Sequence, residues 1–204
     1  MTTLMKSKVF RSVAIEDELV KRGVFIFTSQ IFRRIFSVSN AQTKTVLENY
    51  TKGGLFLRLK QGLYCLKRRF PGDEEIANAL YKPSYLSFEY VLAKNGIIPE
   101  IVYSITSATT KPTREFTVKE RAFSYYKIKK EAFAGYAPVK EGERSVLIAE
   151  PEKALVDYLY FVSLGKRSWN DRFNFSGLNK GKMIQYAKLF KRPSLMELIK
   201  KLYQ

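Results

Sequence analysis

Apolar residues recur at helical spacing in two neighbouring segments of the first third of the chain. In residues 29–36, four of them share one face of a helix, namely Ile31, Phe32, Ile35 and Phe36. Arg33 and Arg34 fall off this face. Ser39 is followed three residues later by Gln42, a capping-box pattern that predicts the start of a second helix. Two short helices joined by a tight turn are therefore predicted here.

The pattern changes from helical to alternating after the two glycines at residues 53–54, which are expected to end the second helix. Leucine occupies every second position of residues 55–60, a turn is predicted at residues 61–62, and an extended pattern resumes over residues 63–66. Helix, turn, helix and basic hairpin is the order of a winged helix-turn-helix, whose second helix enters the major groove of DNA. The alternative is a small helical subdomain with a solvated basic surface.

Patterning in the rest of the first third extends this prediction to a whole domain. A helix is predicted over residues 12–21, and a short apolar strand over residues 24–27 could pair with the hairpin. Proline, glycine and a change in the sign of the charge mark a linker just after residue 70. An N-terminal winged helix-turn-helix domain is therefore expected over residues 1–70.

The second domain, residues 71–204, is predicted to contain an antiparallel sheet flanked by helices, which makes the chain an α+β protein. Two helices are expected first, the second of them capped by Ser84. Several β-rich segments separated by turns follow, and then a long helix. The basic C-terminal tail is predicted to form a helical hairpin, in which Ser194 and Glu197 make a second capping box.

Charge is distributed unevenly along the chain. The formal net charge of +17 divides into +10 for residues 1–70, −1 for residues 71–163 and +8 for residues 164–204. Charge that served only solubility would be spread more evenly. A polyanionic partner, and nucleic acid in particular, is therefore expected at one end of the chain at least.

Composition narrows the possible chemistry. The chain has no histidine and a single cysteine, Cys65, which excludes an internal disulfide and catalysis or metal binding that depends on histidine. We expect no catalytic residue, metal or cofactor. No apolar run is long enough to span a bilayer and the first residues lack a signal-peptide core, so a cytoplasmic protein without a membrane partner is expected.

The winged helix-turn-helix prediction assigns contacts with double-stranded DNA to nine residues. Those expected to approach base edges from the start of the second helix are Gln42, Thr43, Lys44 and Thr45. Those expected to hold phosphates are Arg33, Arg34, Ser39, Arg58 and Lys60. Thr43 could instead pack inward, and Glu48 on the outer face would repel phosphate unless it accepts a hydrogen bond from a cytosine amine.

Two other functions are consistent with parts of the chain. The basic C-terminal hairpin could bind RNA or an acidic protein while the N-terminal domain is only structural. A metal-dependent nuclease of the restriction-enzyme type would need an acid on one strand and the order acid, any residue, lysine on the next. Here Glu152 directly precedes Lys153 and Glu150 lies three residues before it, so the spacing differs by one residue in each direction. Favourable charge at a helix N-terminus accounts for both acids without catalysis.

Three segments of the second domain resemble the signature blocks of AbiEi-type antitoxins of type IV toxin–antitoxin, or abortive-infection, systems. They are residues 83–97 (PSYLSFEYVLAKNGI), 114–136 (REFTVKERAFSYYKIKKEAFAGY) and 148–161 (IAEPEKALVDYLYF). They occur in the family's order, and the G-x-Y pattern at Gly62 is similar to the wing of the same family.

This resemblance implies a repressor that binds its own promoter and opposes a nucleotidyltransferase-like toxin, AbiEii, without a stable toxin complex. It implies no catalytic residues. Five residues match the blocks and are expected to stabilise the fold, namely Tyr85, Ser87, Glu152, Lys153 and Asp157.

Overall fold

The structure is a computed structural model that describes residues 11–141 and 144–203. The protein is of the α+β class and divides into two compact units, Met1–Leu80 and Tyr81–Gln204. The boundary thus follows Leu80, whereas the sequence suggested residue 70. The difference arises because the helix after the linker contacts the sheet of the first unit, where the Lys60 ammonium donates a hydrogen bond to the Leu80 carbonyl.

The first unit, called unit 1 below, combines four described helices with a small sheet. Its elements in chain order are α1 (Ser12–Lys21), β1 (Ile26–Thr28), α2 (Ser29–Phe36), α3 (Asn40–Lys52), β2 (Phe56–Lys60), β3 (Leu63–Leu66) and α4 (Asp73–Leu80). The strand order is β1-β3-β2 and every pair is antiparallel. The predicted pairing of the early strand with the hairpin is therefore confirmed.

Every element of unit 1 except α4 contributes to one apolar core. Its fully or almost fully buried members are Ile15, Leu19, Phe27, Phe32, Leu47, Phe56 and Leu66. Phe27 packs edge-on against Phe56 with their ring centroids 5.1 Å apart. Because the two rings come from β1 and β2, this contact joins the outer strands of the sheet over β3.

The second unit, called unit 2, is built on a six-stranded sheet. Its elements are β4 (Ser84–Leu86), α5 (Phe88–Lys94), β5 (Ile105–Thr109), β6 (Arg114–Val118), β7 (Arg121–Lys127), a short 3₁₀ helix (Lys130–Ala132), β8 (Tyr136–Glu141), β9 (Arg144–Ala149), α6 (Pro151–Ser163), α7 (Lys180–Leu189) and α8 (Pro193–Lys201). Helix α6 contacts α5, α7 and α8, and α7 contacts α8. No helix among the described residues is both long and apolar enough to cross a membrane.

The sheet of unit 2 is mixed, so the expectation of a purely antiparallel sheet was wrong. The strand order is β6-β7-β5-β4-β9-β8, and the pairs β5–β7 and β4–β9 are parallel. Two antiparallel hairpins, β6–β7 and β8–β9, each join the sheet through their second strand. Alternating apolar residues identify a strand but not its direction relative to a distant neighbour, which is why the pattern could not distinguish the two arrangements.

Two predicted helix starts were also wrong. Ser84 was expected to cap a helix, but it begins strand β4, and α5 begins only at Phe88. The reason is tertiary, because β4 lies between β5 and β9 and pairs with both. At the C-terminal hairpin, α8 begins at Pro193, a favourable first helical residue, and not after a cap at Ser194.

Candidate nucleic-acid interface

The outward face of α3 is polar along its whole length. Thr43 and Leu47 are buried on the inner side, with 3% and 1% of their surface exposed. The exposed residues of the helix are Asn40, Ala41, Gln42, Lys44, Thr45, Glu48, Asn49 and Lys52. A surface helix in this setting offers several hydrogen-bond donors and acceptors but almost no apolar surface, a composition suited to a polar partner.

The start of α3 is defined by the predicted capping box, which the structure confirms. The backbone N–H of Ser39 donates to Gln42 Oε1 at 3.1 Å, and the backbone N–H of Gln42 donates to Ser39 Oγ at 3.3 Å. Ser37 closes α2 in the left-handed region at φ 50°, so the turn between the helices is only three residues long. The capping bonds use the side-chain oxygens of Ser39 and Gln42, so the amide N–H₂ group of exposed Gln42 can donate to other partners.

Two of the nine predicted contact residues, Thr43 and Lys60, are drawn away from the surface by contacts inside unit 1. The hydroxyl of Thr43 donates to the Ser39 carbonyl at 2.7 Å, and the side chain is buried. The expectation that Thr43 approaches a base edge is therefore wrong, because helical periodicity turns it towards the core. Lys60 is half-buried, and its ammonium donates to the Leu80 carbonyl at the end of α4, which draws it away from the role of a phosphate contact.

The three arginines of the prediction differ in their surroundings. Arg34 is exposed on α2, and Arg58 is exposed on β2 opposite Tyr64 of β3. Arg33 is half-buried, and its guanidinium donates to the side-chain oxygen of Asn40. Since Asn40 is the first residue of α3, this hydrogen bond connects the two helices directly. Arg33 thus stabilises the turn between the two helices and also adds positive charge to the surface.

A cleft of about 340 Å³ runs between the beginning of α2, α3 and strand β3. It is lined by Ser29, Gln30, Arg33, Asn40, Thr43, Lys44, Leu47, Glu48 and Tyr64. Sequence reasoning did not single out Gln30 or Asn40, and it noted Tyr64 only as part of the G-x-Y pattern. For Asn40, the position directly after the cap at Ser39 was the one available signal. The cleft brings donors from three elements next to the exposed face of α3.

Basic residues continue beyond the hairpin. Lys67, Arg68 and Arg69 follow β3 and are all exposed. Arg68 lies 3.9 Å from the Glu16 carboxylate of α1, at the limit of an ion pair. An exposed pair of this kind contributes little to stability. The three side chains therefore extend the basic surface of unit 1 past the predicted contact residues.

Unit 2 contains a fully buried ionic network where two of the family-like blocks meet. Lys153 and Asp157, one turn apart on α6, form an ion pair with no solvent exposure. The Tyr85 hydroxyl donates to the second carboxylate oxygen of Asp157 at 2.9 Å, and the Ser87 hydroxyl donates to it at 2.8 Å. Burial raises the pKa of Asp157 and lowers that of Lys153, whereas their mutual attraction opposes both shifts. These residues hold β4 against α6.

The acidic residues of the nuclease alternative serve separate contacts. Glu150 accepts hydrogen bonds from the Lys182 ammonium at 2.8 Å and from the Tyr186 hydroxyl at 3.0 Å. Glu152 is buried and accepts from the backbone N–H of Asn179 at 3.1 Å. Within the described part of the chain, no group of three or more Asp, Glu, Cys or His residues is arranged to hold a metal ion. Both acids therefore connect the start of α6 with α7.

Some lysines near the C-terminus are simply exposed, and others lie over aromatic rings. Lys188, Lys191 and Lys200 are exposed. The Lys201 ammonium lies 5.0 Å from the centroid of the Trp169 ring, and the Lys180 ammonium lies 4.7 Å from the Tyr203 ring. Trp169 is half-buried and packs edge-on against Phe173.

Comparison with known proteins adds no relative to this picture. No family model matches the chain, and no curated protein matches it significantly. The function is therefore inferred from the side chains that the two units expose and from those that they bury.

Proposed function

We propose that unit 1 is a winged helix-turn-helix domain that binds double-stranded DNA, with α2 and α3 as its two helices and the β2–β3 hairpin as its wing. The observation that carries this proposal is the polar, exposed face of α3, together with an exposed arginine on the hairpin. The order of the elements and the strand order β1-β3-β2 support it, as does the +10 charge of residues 1–70.

In this proposal α3 lies in the major groove with its first two turns towards the bases. Lys44 donates to guanine O6 or N7, and Thr45 and the amide of Gln42 contact neighbouring base edges. Arg34, Arg58 and the Ser39 hydroxyl contact phosphates on either side of the groove and set the position of the helix. Arg33 holds α2 to α3 and adds positive charge. Thr43 and Lys60 stabilise unit 1 and are left out of the contact surface.

We further propose that the protein is an antitoxin that represses its own promoter and counteracts a nucleotidyltransferase-like toxin. The support is the resemblance of three ordered blocks to AbiEi-type antitoxins. Four of the five residues that match these blocks come together in the buried network, in which Tyr85, Ser87 and Lys153 bind Asp157. In this reading unit 2 supports antitoxicity, and no residue acts as a catalyst.

A gel-shift titration tests the DNA-binding proposal with the full chain. The probes are the duplex upstream of its own gene and a scrambled duplex of equal length, each over a series of salt concentrations. We expect the preference for the upstream duplex to persist at about 0.15 M salt, because base contacts survive when counterion release weakens the phosphate contacts. Equal affinity for both duplexes, lost together as salt rises, would reject operator recognition.

Substitution of two surface residues tests the assignment of contacts. Arg58→Ala should weaken binding to both duplexes and make the salt dependence shallower by about 0.9 in its logarithmic slope, because one phosphate contact is lost. Lys44→Ala should weaken binding to the upstream duplex by roughly 1–3 kcal/mol and reduce the preference for it, because a base contact is lost. Lys200→Ala is the matched control, since Lys200 is an exposed lysine of unit 2. Unchanged affinity in both variants would contradict the assignment.

A further inference from the structure

Helix α1 and the end of α2 border an open groove in unit 1 that the proposed DNA contacts do not use. Its walls are formed by Arg11, Val13, Ala14, Asp17, Glu18, Ile35, Phe36 and Ser37. Val13 is 66% exposed, which is unusual for a large apolar side chain on a helix of this protein. The groove therefore offers an apolar floor between charged ends, which is typical of an interaction surface.

The charges on this side of α1 have a symmetric arrangement. Arg11 and Asp17 lie three residues before and three residues after Ala14, and all three are exposed. Among the described residues, neither Arg11 nor Asp17 has an ion pair or a side-chain hydrogen bond. The neighbouring acids differ, because Glu18 binds Arg22 at 2.6 Å and Glu16 lies near Arg68. Within residues 11–141 and 144–203, a cation and an anion are thus left unpaired at equal sequence distances from a small residue.

We propose that two copies of this chain associate through α1, with the two helices antiparallel and crossing at Ala14. An α-helix rises 1.5 Å per residue, so Arg11 and Asp17 are separated by about 9 Å along its axis. A two-fold axis through Ala14 places the Arg11 of each copy opposite the Asp17 of the other, and so forms two ion pairs. The methyl side chain of Ala14 permits close approach of the helices.

The apolar residues of the groove supply the contact between these two ion pairs. Val13 of each copy lies beside the two-fold axis and packs against Ile35 and Phe36 in the groove of the other copy. This contact removes apolar surface from water. A second copy fits this surface better than another protein does, because the charges complement themselves under the two-fold rotation. The surface is small, so the association is weak and depends on protein concentration. It requires no DNA.

Chemical cross-linking tests this interface directly. In an Ala14→Cys variant the two introduced thiols lie together at the axis, so a short bismaleimide should convert the protein to a covalent dimer. Cys65 is 0% exposed, so the unsubstituted chain gives the background. Thr117→Cys, at an exposed position of β6, measures cross-linking by random collision. We expect Ala14→Cys to react about tenfold faster than Thr117→Cys, because the pairing raises the local thiol concentration.

Charge reversal in the Ala14→Cys background shows whether the cross-link depends on the two ion pairs or only on the exposure of the introduced thiol. Asp17→Arg should reduce the cross-linking rate about tenfold, because both ion pairs become repulsive. Arg11→Asp combined with Asp17→Arg should restore the rate, since the pairs re-form with opposite signs. Aspartate is favourable at the N-cap, which Arg11 occupies, so the double variant is expected to stay folded. A rate for Ala14→Cys equal to that of Thr117→Cys, or a rate unaffected by Asp17→Arg, would overturn the proposal.

Discussion

Lys153 and Asp157 show how strongly a buried charge depends on its partners. Both side chains are 0% exposed, and the Lys153 ammonium also lies 5.0 Å from the Phe190 ring and 5.5 Å from the Tyr85 ring. Removing two charges from water costs several kcal/mol for each ion, which their attraction and the hydrogen bonds to the carboxylate offset. The free energy of the pair therefore depends on each of these partners, and most of all on the opposite charge.

Asp157→Asn should destabilise the protein by about 3–5 kcal/mol, because it leaves the Lys153 cation buried without a counterion. The measurement is the free energy of unfolding in urea. Tyr85→Phe is the milder comparison, since it removes one hydrogen bond to the carboxylate and should cost only about 1 kcal/mol. The double variant Lys153→Met with Asp157→Leu should recover much of the loss. A loss of less than about 1 kcal/mol in Asp157→Asn would contradict the network as a determinant of stability.

The junction between helices α6 and α7 depends on Glu150, the residue directly before α6. The hydrogen bond from the Lys182 ammonium, together with that from Tyr186, holds the pKa of Glu150 below its ordinary value of 4.5, while partial burial opposes this shift. A carboxylate whose pKa is lower in the folded state stabilises the protein above pH 4.5. That stabilisation is lost as the pH falls through the lowered pKa.

Glu150→Gln should therefore reduce stability at neutral pH and flatten the decrease in stability below pH 4.5. The effect should be small, because both side chains of the pair are partly exposed. Thermal unfolding of the variant and the unsubstituted chain, measured at a series of pH values, would show the two curves converging in acid. Parallel curves would mean that the Glu150 pKa is not linked to folding.

Across the whole molecule, positive charge is concentrated at both ends of the chain, in residues 1–70 and 164–204, and the proposed DNA-contact surface belongs to unit 1. Lys188→Gln with Lys200→Gln should lower affinity for both gel-shift duplexes slightly and leave the preference for the upstream duplex unchanged. The reason is that these two exposed lysines add only non-specific attraction. Loss of all binding in this variant would favour the C-terminal hairpin as the nucleic-acid site.

These point substitutions are preferable to deletion of the C-terminal helices. Leu195 and Ile199 of α8 are 0% exposed, and α6 packs against both α7 and α8. Removing these helices would expose the core of unit 2 and confuse loss of a binding site with loss of the fold. Neutral glutamine at exposed positions changes only the charge.

Local signals predicted elements well wherever neighbours in sequence determine the conformation. The bounds of α1, the capping box of Ser39 and Gln42, and the hairpin turn at Gly62 all agree with the sequence prediction. The exposure of Lys44 and Thr45 and the burial of Leu47 were predictable in the same way, because helical periodicity separates the two sides of α3. The sequence left two roles open for Thr43, and the structure shows that it packs inward.

The sequence by itself determined the α+β class, the order of helices and strands in unit 1 and the separation of charge along the chain. These follow from capping, turn chemistry and the periods of 3.6 and 2 residues, which act over a few positions. Only the tertiary structure decided that the pairs β4–β9 and β5–β7 are parallel. It also decided that Ser84 begins a strand and does not cap a helix, and that Tyr85 binds Asp157. Each joins segments far apart in the chain, so its free energy comes from packing and burial that no local pattern encodes.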